Sequence, residues 1–232
     1  MKTIGLIGGM SWESSLEYYR IINEVVRERL GGLHSAEIIM NSIDFAPLAE
    51  MQAQNRWDEA GEMMADAARS LERAGAGCVL IGANTMHKVA EAVEAAVQIP
   101  LIHIANATAQ RVKAAGIGCV GLLGTRFTME EPFYASRLVE QYGLDVLIPP
   151  AEMREVVHRV IYDELCLGIT KEASRDAYRE IMADLQAQGA QGIILGCTEI
   201  ALLVKPEDSP LPMFDTTRIH AEAAVDWALE TP

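Results

Sequence analysis

Long apolar runs, paired cysteines and basic residues are all scarce in this sequence of 232 residues. No apolar stretch approaches the ~20 residues that a membrane-spanning helix needs. Lys and Arg number 19 against 33 Asp and Glu, which gives a formal net charge of −14. A surface this acidic repels phosphate backbones and anionic lipid. We therefore expect neither a nucleic acid nor a membrane as partner, and a small molecule as ligand.

The four cysteines, Cys78, Cys119, Cys166 and Cys197, form no CxxC pair and have no metal-type spacing with histidine. This spacing predicts neither a disulfide framework nor a metal site, and it favours a reducing compartment. The first residues also lack the long apolar stretch of a signal peptide. We expect a cytoplasmic protein.

Short aliphatic runs alternate with longer amphipathic stretches along the whole chain. This alternation predicts an α/β fold with parallel sheet and helices on both faces. Strands are predicted at residues 3–7, 37–43, 78–81, 101–104, 119–123, 145–148, 193–195 and 213–214. Helices are predicted at residues 12–30, 57–74, 107–115, 129–142, 151–166, 171–188 and 217–229, with one more ending near Val97. Residues 201–212 contain three prolines and are predicted to form a loop.

An internal repeat divides the chain. The segment GAGCVLIGANT at residues 75–85 matches GAQGIILGCTE at residues 189–199, at an offset of 114. A second pair, GLIG at residues 5–8 and GLLG at residues 121–124, has an offset of 116. Two matches in the same order predict two related lobes. We expect a first lobe over residues 1–105, a second over 106–215, and a closing helix over 216–232 that packs on the first lobe.

Ligands of open α/β sheets bind beyond the carboxyl ends of the strands. Polar segments follow predicted strands at residues 8–11, 83–87, 125–128 and 197–199, and they share one cleft if the lobes face each other. The glycines of GLIGGMS match no dinucleotide or Walker motif, so nucleotide binding is not predicted. The candidate substrate-binding residues are Met10, Gln52, Asn84, Thr85, Thr125, Arg126, Thr128, Thr198 and Glu199.

Cys197 is the leading candidate for a reactive residue. It follows a buried strand and a glycine, and it opens the next predicted helix. The amino end of a helix carries partial positive charge that lowers a thiol's pKa. A small packed thiol is the alternative. We expect Cys197 to be the most reactive of the four cysteines.

The segments GLIGGMSWES, NTMHK, GCTEI and FDTTRIHAE resemble the aspartate/glutamate racemase family over nearly the whole chain. The resemblance implies two Rossmann-like lobes with pseudo-twofold symmetry, an active site between them, no cofactor and a homodimer. It also implies two-base racemisation, in which one thiolate removes the α-proton and a thiol on the opposite face returns one. The second thiol of this pattern is Cys197.

The position of the first thiol holds Ala83, which has no proton to transfer. The internal repeat relates the same two residues, because Ala83 and Cys197 are 114 residues apart. An atypical racemase would need another donor, such as Thr85, His87 or water. Arylmalonate decarboxylases resemble this superfamily and use a single cysteine, so a single-thiol lyase or isomerase is one alternative. A non-catalytic amino-acid-binding relative is the other.

Overall fold

A computed structural model describes residues 1–230, and the chain divides into two units. The first comprises Met1–Ile104 together with the chain from His220 onward, and the second comprises Ala105–Ile219. The last two positions of the predicted closing segment, 231 and 232, lie outside the described residues.

The first unit contains a three-stranded parallel sheet in the order β2-β1-β3. Its strands are β1 (Ile4–Gly8), β2 (Ile38–Ser42) and β3 (Cys78–Ile81). Its helices are α1 (Trp12–Leu30), α2 (Phe45–Ala53), α3 (Trp57–Arg73) and α4 (Ala90–Ala96), with a 3₁₀ helix at Thr85–Val89. Met64 and Leu71 of α3 pack with Ile7 and Ile81, while Tyr18 of α1 packs with strand residues in a separate buried cluster. Both faces of the sheet are therefore covered.

The second unit contains a four-stranded parallel sheet in the order β5-β4-β6-β7. Its strands are β4 (Cys119–Gly124), β5 (Asp145–Leu147), β6 (Gly192–Gly196) and β7 (Met213–Asp215). Its helices are α5 (Ile104–Ala114), α6 (Arg126–Glu130), α7 (Pro132–Tyr142), α8 (Ala151–Asp163), α9 (Glu172–Ala187) and α10 (Ile200–Leu203), with 3₁₀ helices at Leu165–Leu167 and Pro206–Asp208. The last helix, α11 (Thr216–Leu229), begins in this unit, and its residues Ala221, Ala224 and Val225 pack in the core of the first.

The internal repeat corresponds to equivalent strand registers in the two sheets. Gly5 pairs with Val79 in the first sheet, and Gly121 pairs with Ile193 in the second. The orders β2-β1-β3 and β5-β4-β6 match strand for strand. The predicted α/β class with two parallel-sheet units is thereby confirmed.

The strand predicted at residues 101–104 is wrong. Only Leu101 forms a bridge, to Val79, and α5 already begins at Ile104. Histidine side chains bind the backbone groups that a strand would have paired: His220 Nε2 donates to the Ile102 carbonyl at 2.6 Å, and the Ile104 N–H donates to His87 Nε2 at 3.2 Å. The segment thus pairs with β3 only around Leu101, where the Val79 N–H donates to the Pro100 carbonyl and the Ile102 N–H donates to the Val79 carbonyl, and it does not continue as a strand.

Three further differences have local causes. The helix predicted at 129–142 is two helices, because Pro132 has no N–H to continue α6 and instead starts α7. Helix α2 was not predicted; Asp44 caps it by accepting the Ala46 N–H at 3.2 Å. The loop predicted at 201–212 contains most of α10 and a 3₁₀ turn held by Asp208, which accepts the Lys205 N–H at 2.8 Å.

Candidate active site

Cys197 lies directly after β6, in the turn that precedes α10. Its side chain is 8% exposed and that of Glu199 is 2% exposed. The thiol donates a hydrogen bond to Glu199 Oε2 at 3.0 Å, and the Thr198 hydroxyl donates to the same oxygen at 2.7 Å. The turn therefore places a thiol against a carboxylate that can accept its proton.

The environment raises the pKa of Cys197 well above the usual value for a thiol. Burial is the largest cause, followed by the charges of Glu199 and Cys166. The expectation that a helix terminus lowers this pKa is wrong, because α10 has only four residues and begins three residues after the thiol. At neutral pH Cys197 is a protonated donor, and it becomes a thiolate only when an adjacent base takes its proton.

The end of β4 lies next to Cys197, because Gly124 pairs with Gly196 in the ladder. Thr125 and Thr128 are buried there, with their hydroxyl oxygens 3.2 Å apart. Thr125 Oγ1 also accepts the Thr128 N–H at 3.3 Å and so caps α6. Both predicted threonines thus lie at the carboxyl end of β4, the strand that pairs with β6, in positions that the helix cap fixes.

Arg126 is exposed at the start of α6, and its backbone N–H donates to His158 Nδ1 at 3.2 Å. Burial and the charge of Arg126 both lower the pKa of His158. His158 is therefore held as a neutral acceptor at this helix start. Arg126 keeps its guanidinium on the exposed side, where it can attract an anion.

Helix α8 also contributes to the site, although no motif in the sequence marks it. Tyr162 packs against His158 with ring centroids 4.8 Å apart. Burial raises the pKa of Tyr162, and the charges of Cys197, Cys166 and Glu199 raise it further. His158 and Tyr162 are four residues apart, which places them on one face of α8, and Cys166 follows in the next 3₁₀ helix. That spacing was the available signal, and it marks the face of α8 that lies near the thiol.

In the first unit, the loop after β1 is held by hydrogen bonds to serine side chains at the start of α1. The Gly9 N–H donates to Ser15 Oγ at 2.7 Å, and Ser11 Oγ accepts the Ser14 N–H as the cap of α1. Gly9 has φ of +93°, and a Cβ there would lie 2.1 Å from the Ile43 carbonyl oxygen. Only glycine fits this turn, which places the buried Met10 at the carboxyl end of β1.

Ala83, Asn84 and Thr85 follow β3 as Cys197, Thr198 and Glu199 follow β6. All three are buried. In this correspondence Thr85 occupies the position of Glu199, the residue that contacts the thiol in the second unit. Gln52 of α2 is also buried, and its Nε2 lies 3.1 Å from the sulfur of Met86 in the same 3₁₀ helix. The structure thus brings Gln52 to the segment that carries Asn84 and Thr85.

His87 is held by the backbone through both of its ring nitrogens. Nε2 accepts the Ile104 N–H, so Nδ1 carries the proton and lies 2.9 Å from the Ala83 carbonyl oxygen, to which it donates. A neutral ring with both nitrogens engaged is a poor proton donor to a substrate. Of the two side chains suggested to replace the missing thiol, this geometry favours Thr85 over His87.

Within residues 1–230, no cluster of three or more His, Cys, Asp or Glu side chains is arranged to bind a metal ion. The helices in that part of the chain are also too short or too polar to cross a bilayer.

These features define an α/β protein whose polar side chains follow parallel strands, with a thiol and a carboxylate in contact after one of them. The chain belongs to the Asp/Glu/hydantoin racemase family, whose sequence model matches residues 7–224.

Several individual proteins resemble it. A crystal structure from Yersinia pestis, provisionally described as an Asp/Glu racemase, is 56% identical with a TM-score of 0.92, covering 99% of this chain and 100% of that one. An aspartate racemase homologue from Pyrococcus horikoshii is 36% identical with a TM-score of 0.85, at 99% and 100% coverage. The broad specificity amino-acid racemase RacX of Bacillus subtilis is 25% identical over 74% of each chain.

Proposed function

We propose that this protein is a cofactor-independent racemase of aspartate, glutamate or related amino acids, with Cys197 as its principal proton-transfer residue. The observation that carries the proposal is the 3.0 Å hydrogen bond from the Cys197 thiol to Glu199. The acidic substrate is supported by relatives such as a glutamate racemase from Proteus mirabilis, which is 31% identical over 126 residues, or 52% of this chain and 40% of that one.

The proton-transfer step follows from the contact between the thiol and the carboxylate. Glu199 accepts the S–H proton, and the resulting thiolate removes the α-proton of the bound amino acid, which regenerates the thiol. The electron pair of the Cα–H bond moves into the carboxylate as an enediolate-like carbanion. Pre-arranged hydrogen-bond donors stabilise that developing charge. Asn84, Thr125, Thr128 and Thr198 are the buried donors that we assign to substrate binding, with Met10, Gln52 and Arg126 as further contacts.

Inversion requires a proton donor on the opposite face of the planar carbanion. Ala83 supplies none, so we assign this role to the Thr85 hydroxyl or to a water molecule. A threonine hydroxyl is a far weaker acid than a cysteine thiol, whose reference pKa is about 8.5. The proposed enzyme therefore inverts slowly relative to the rate at which Cys197 exchanges the α-proton.

A second candidate function is favoured by the Ala83–Cys197 asymmetry itself. A single-thiol lyase of the decarboxylase type needs only one proton donor, because carbon dioxide leaves and one proton replaces it. A non-catalytic amino-acid-binding protein is the third possibility. For the environment, we propose the cytoplasm, since none of the four cysteines forms a disulfide. We further propose a homodimer, which the resemblance of the sequence implies.

The test uses wild type and Cys197→Ser with a panel of L- and D-amino acids and with an arylmalonate. Chiral chromatography measures interconversion of enantiomers, and release of carbon dioxide measures decarboxylation. The proposal predicts slow interconversion of aspartate or glutamate that Cys197→Ser abolishes. Decarboxylation without interconversion supports the lyase. Binding by calorimetry without any turnover supports the binding protein.

A further inference from the structure

The threonine pair at the start of α11 contains a buried hydroxyl without a hydrogen-bond partner. Thr217 is 2% exposed, and among residues 1–230 no group hydrogen-bonds to its Oγ1. A buried polar group that loses water and gains no partner is destabilising. Such a hydroxyl in a functional protein points to a ligand atom that completes its hydrogen bonding.

The neighbouring threonine shows the contrast. Thr216 is fully buried, and its hydroxyl donates to the Leu195 carbonyl of β6 at 2.7 Å. Thr216 therefore has a structural partner within the sheet, and Thr217 has none. The two residues have the same side chain and comparable burial, which makes Thr216 a matched control.

The position of Thr217 relates it to the thiol. The last pair of the β6–β7 ladder is Leu195 with Asp215. Cys197 lies two residues after Leu195, and Thr217 lies two residues after Asp215. Both therefore lie at the carboxyl edge of the same parallel sheet, where ligands of α/β proteins bind.

The charged side chains at this edge determine which sign of charge a ligand group beside Thr217 can carry. Asp215 Oδ1 accepts the N–H groups of Thr217 and Arg218 at 2.9 and 3.2 Å, so it already caps the amino end of α11. Glu199 is a second carboxylate at the same edge. Asp215 and Glu199 disfavour an anionic ligand group beside Thr217 and favour a cationic one, since the cationic Arg126 and Arg218 at this edge are exposed to solvent.

We propose that the Thr217 hydroxyl accepts a hydrogen bond from the α-ammonium group of the amino-acid substrate, with Asp215 supplying the nearby negative charge. This inference rests on the proposed function, because it concerns the substrate of the same site. The α-ammonium group is common to both enantiomers, so a fixed acceptor for it holds the substrate while the α-proton changes faces.

The experiment compares L-aspartate with succinate, which has the same two carboxylates and no ammonium group. Isothermal titration calorimetry measures both ligands on wild type, Thr217→Val, Thr217→Ser and Thr216→Val, and thermal unfolding is measured on each variant. Valine has the shape of threonine without the hydroxyl. Thr217→Val is expected to lower the affinity for L-aspartate about 10- to 100-fold and to leave the affinity for succinate unchanged. Thr217→Ser is expected to bind L-aspartate like wild type.

The stability readout separates binding from structure. Thr217→Val is expected to keep or raise the melting temperature, because it removes an unsatisfied hydroxyl. Thr216→Val is expected to lower it, because the Leu195 carbonyl loses its partner. Unchanged L-aspartate affinity in Thr217→Val, an equal loss for both ligands, or a melting temperature lowered as in Thr216→Val overturns the inference. If the wild type binds no acidic amino acid, the proposed function is overturned as well. If the wild type racemises aspartate and Thr217→Val binds it with unchanged affinity, only this inference is overturned.

Discussion

Ala83 and Cys197 occupy equivalent positions in the two sheets. Each lies two residues after a ladder pair that the repeat relates, Ile7 with Ile81 in the first unit and Leu123 with Leu195 in the second. A methyl group thus stands in one sheet where a thiol stands in the other. This asymmetry underlies the claim that one face of the substrate has a strong proton-transfer group and the other does not.

Replacing Ala83 with cysteine should restore the missing thiol. The change adds one sulfur atom, and Thr85 lies at the place of Glu199, so the new thiol would have a polar neighbour two residues away. One effective proton-transfer group contributes about 10²–10⁴-fold to a rate. We expect Ala83→Cys to raise inversion of aspartate or glutamate more than it raises exchange of the α-proton, as measured by chiral chromatography and NMR in D₂O.

The control for this variant is Ala83→Ser, which adds a hydroxyl of low acidity. Its rate of inversion should rise much less than that of Ala83→Cys. If Ala83→Cys inverts no faster than wild type, the second donor lies elsewhere, and Thr85→Val becomes the next variant to measure.

Glu199 should be essential for activating the thiol. Glu199→Gln keeps the shape of the side chain and an oxygen that accepts a hydrogen bond from the thiol, but an amide does not take up the proton. We expect α-proton exchange to fall about 10²–10⁴-fold, measured by NMR in D₂O. Thr198→Val removes the other hydrogen bond to Glu199 Oε2, at 2.7 Å, and should have a smaller effect. A Glu199→Gln enzyme with the wild-type exchange rate would show that another group deprotonates Cys197.

The resting thiol should be unreactive toward alkylating agents. Burial raises the pKa of Cys197, so little thiolate is present at pH 7. Cys119 and Cys166 are partly exposed. We expect iodoacetamide at pH 7 to modify one of these two before Cys197 in the ligand-free protein, as mapped by mass spectrometry. This replaces the expectation from the sequence that Cys197 is modified first. Rapid, selective modification of Cys197 would contradict the raised pKa.

His220 should make the fold sensitive to acid. The ring is fully buried, with Tyr18 Oη 2.7 Å from Nδ1 and the Ile102 carbonyl oxygen 2.6 Å from Nε2. Burial lowers the pKa of His220 from 6.5 to about 4. Between these values the unfolded chain binds the proton and the folded chain does not, so stability falls as pH falls from about 6.5 to 4. The expected loss from this group is about 3 kcal/mol.

Urea unfolding of wild type and His220→Gln across this pH range measures the effect. The variant should be less stable at pH 7.5 but should lose less stability on acidification. His34→Gln is the control, because His34 is exposed and should leave the pH dependence unchanged. Parallel pH profiles for wild type and His220→Gln would show that His220 does not set the acid sensitivity.

The sequence predicts the parts of the fold in which local pattern and burial agree. Helix α1 and strand β3 match their predicted bounds residue for residue, because an amphipathic period ends at Gly31 and an aliphatic run ends at Gly82. The repeat also identifies equivalent strands without any knowledge of their pairing. Prediction failed at residues 101–104, because the histidines that bind that backbone, His87 and His220, are far away in sequence.

In the candidate site, the positions of the residues are predictable from the sequence, but their environment is not. Motif position locates Cys197, Asn84 and Thr85 at strand ends, since residue type and the preceding glycine are visible in the chain. The raised pKa of Cys197 is not predictable, because it results from burial and from the charges of Glu199 and Cys166 in the folded state. The same holds for Tyr162 and Thr217, whose surroundings form only once α8 has packed against the sheet and β7 has paired with β6.

The ratio of α-proton exchange to inversion in D₂O decides whether Cys197 is the one strong proton-transfer group of the site. Wild type and Cys197→Ala are each incubated with L-aspartate and D-aspartate; NMR follows loss of the α-proton, and chiral chromatography follows inversion. We expect wild-type exchange from one enantiomer to exceed inversion, and Cys197→Ala to lose this exchange. Inversion as fast as exchange in wild type, or exchange that survives in Cys197→Ala, would contradict this expectation.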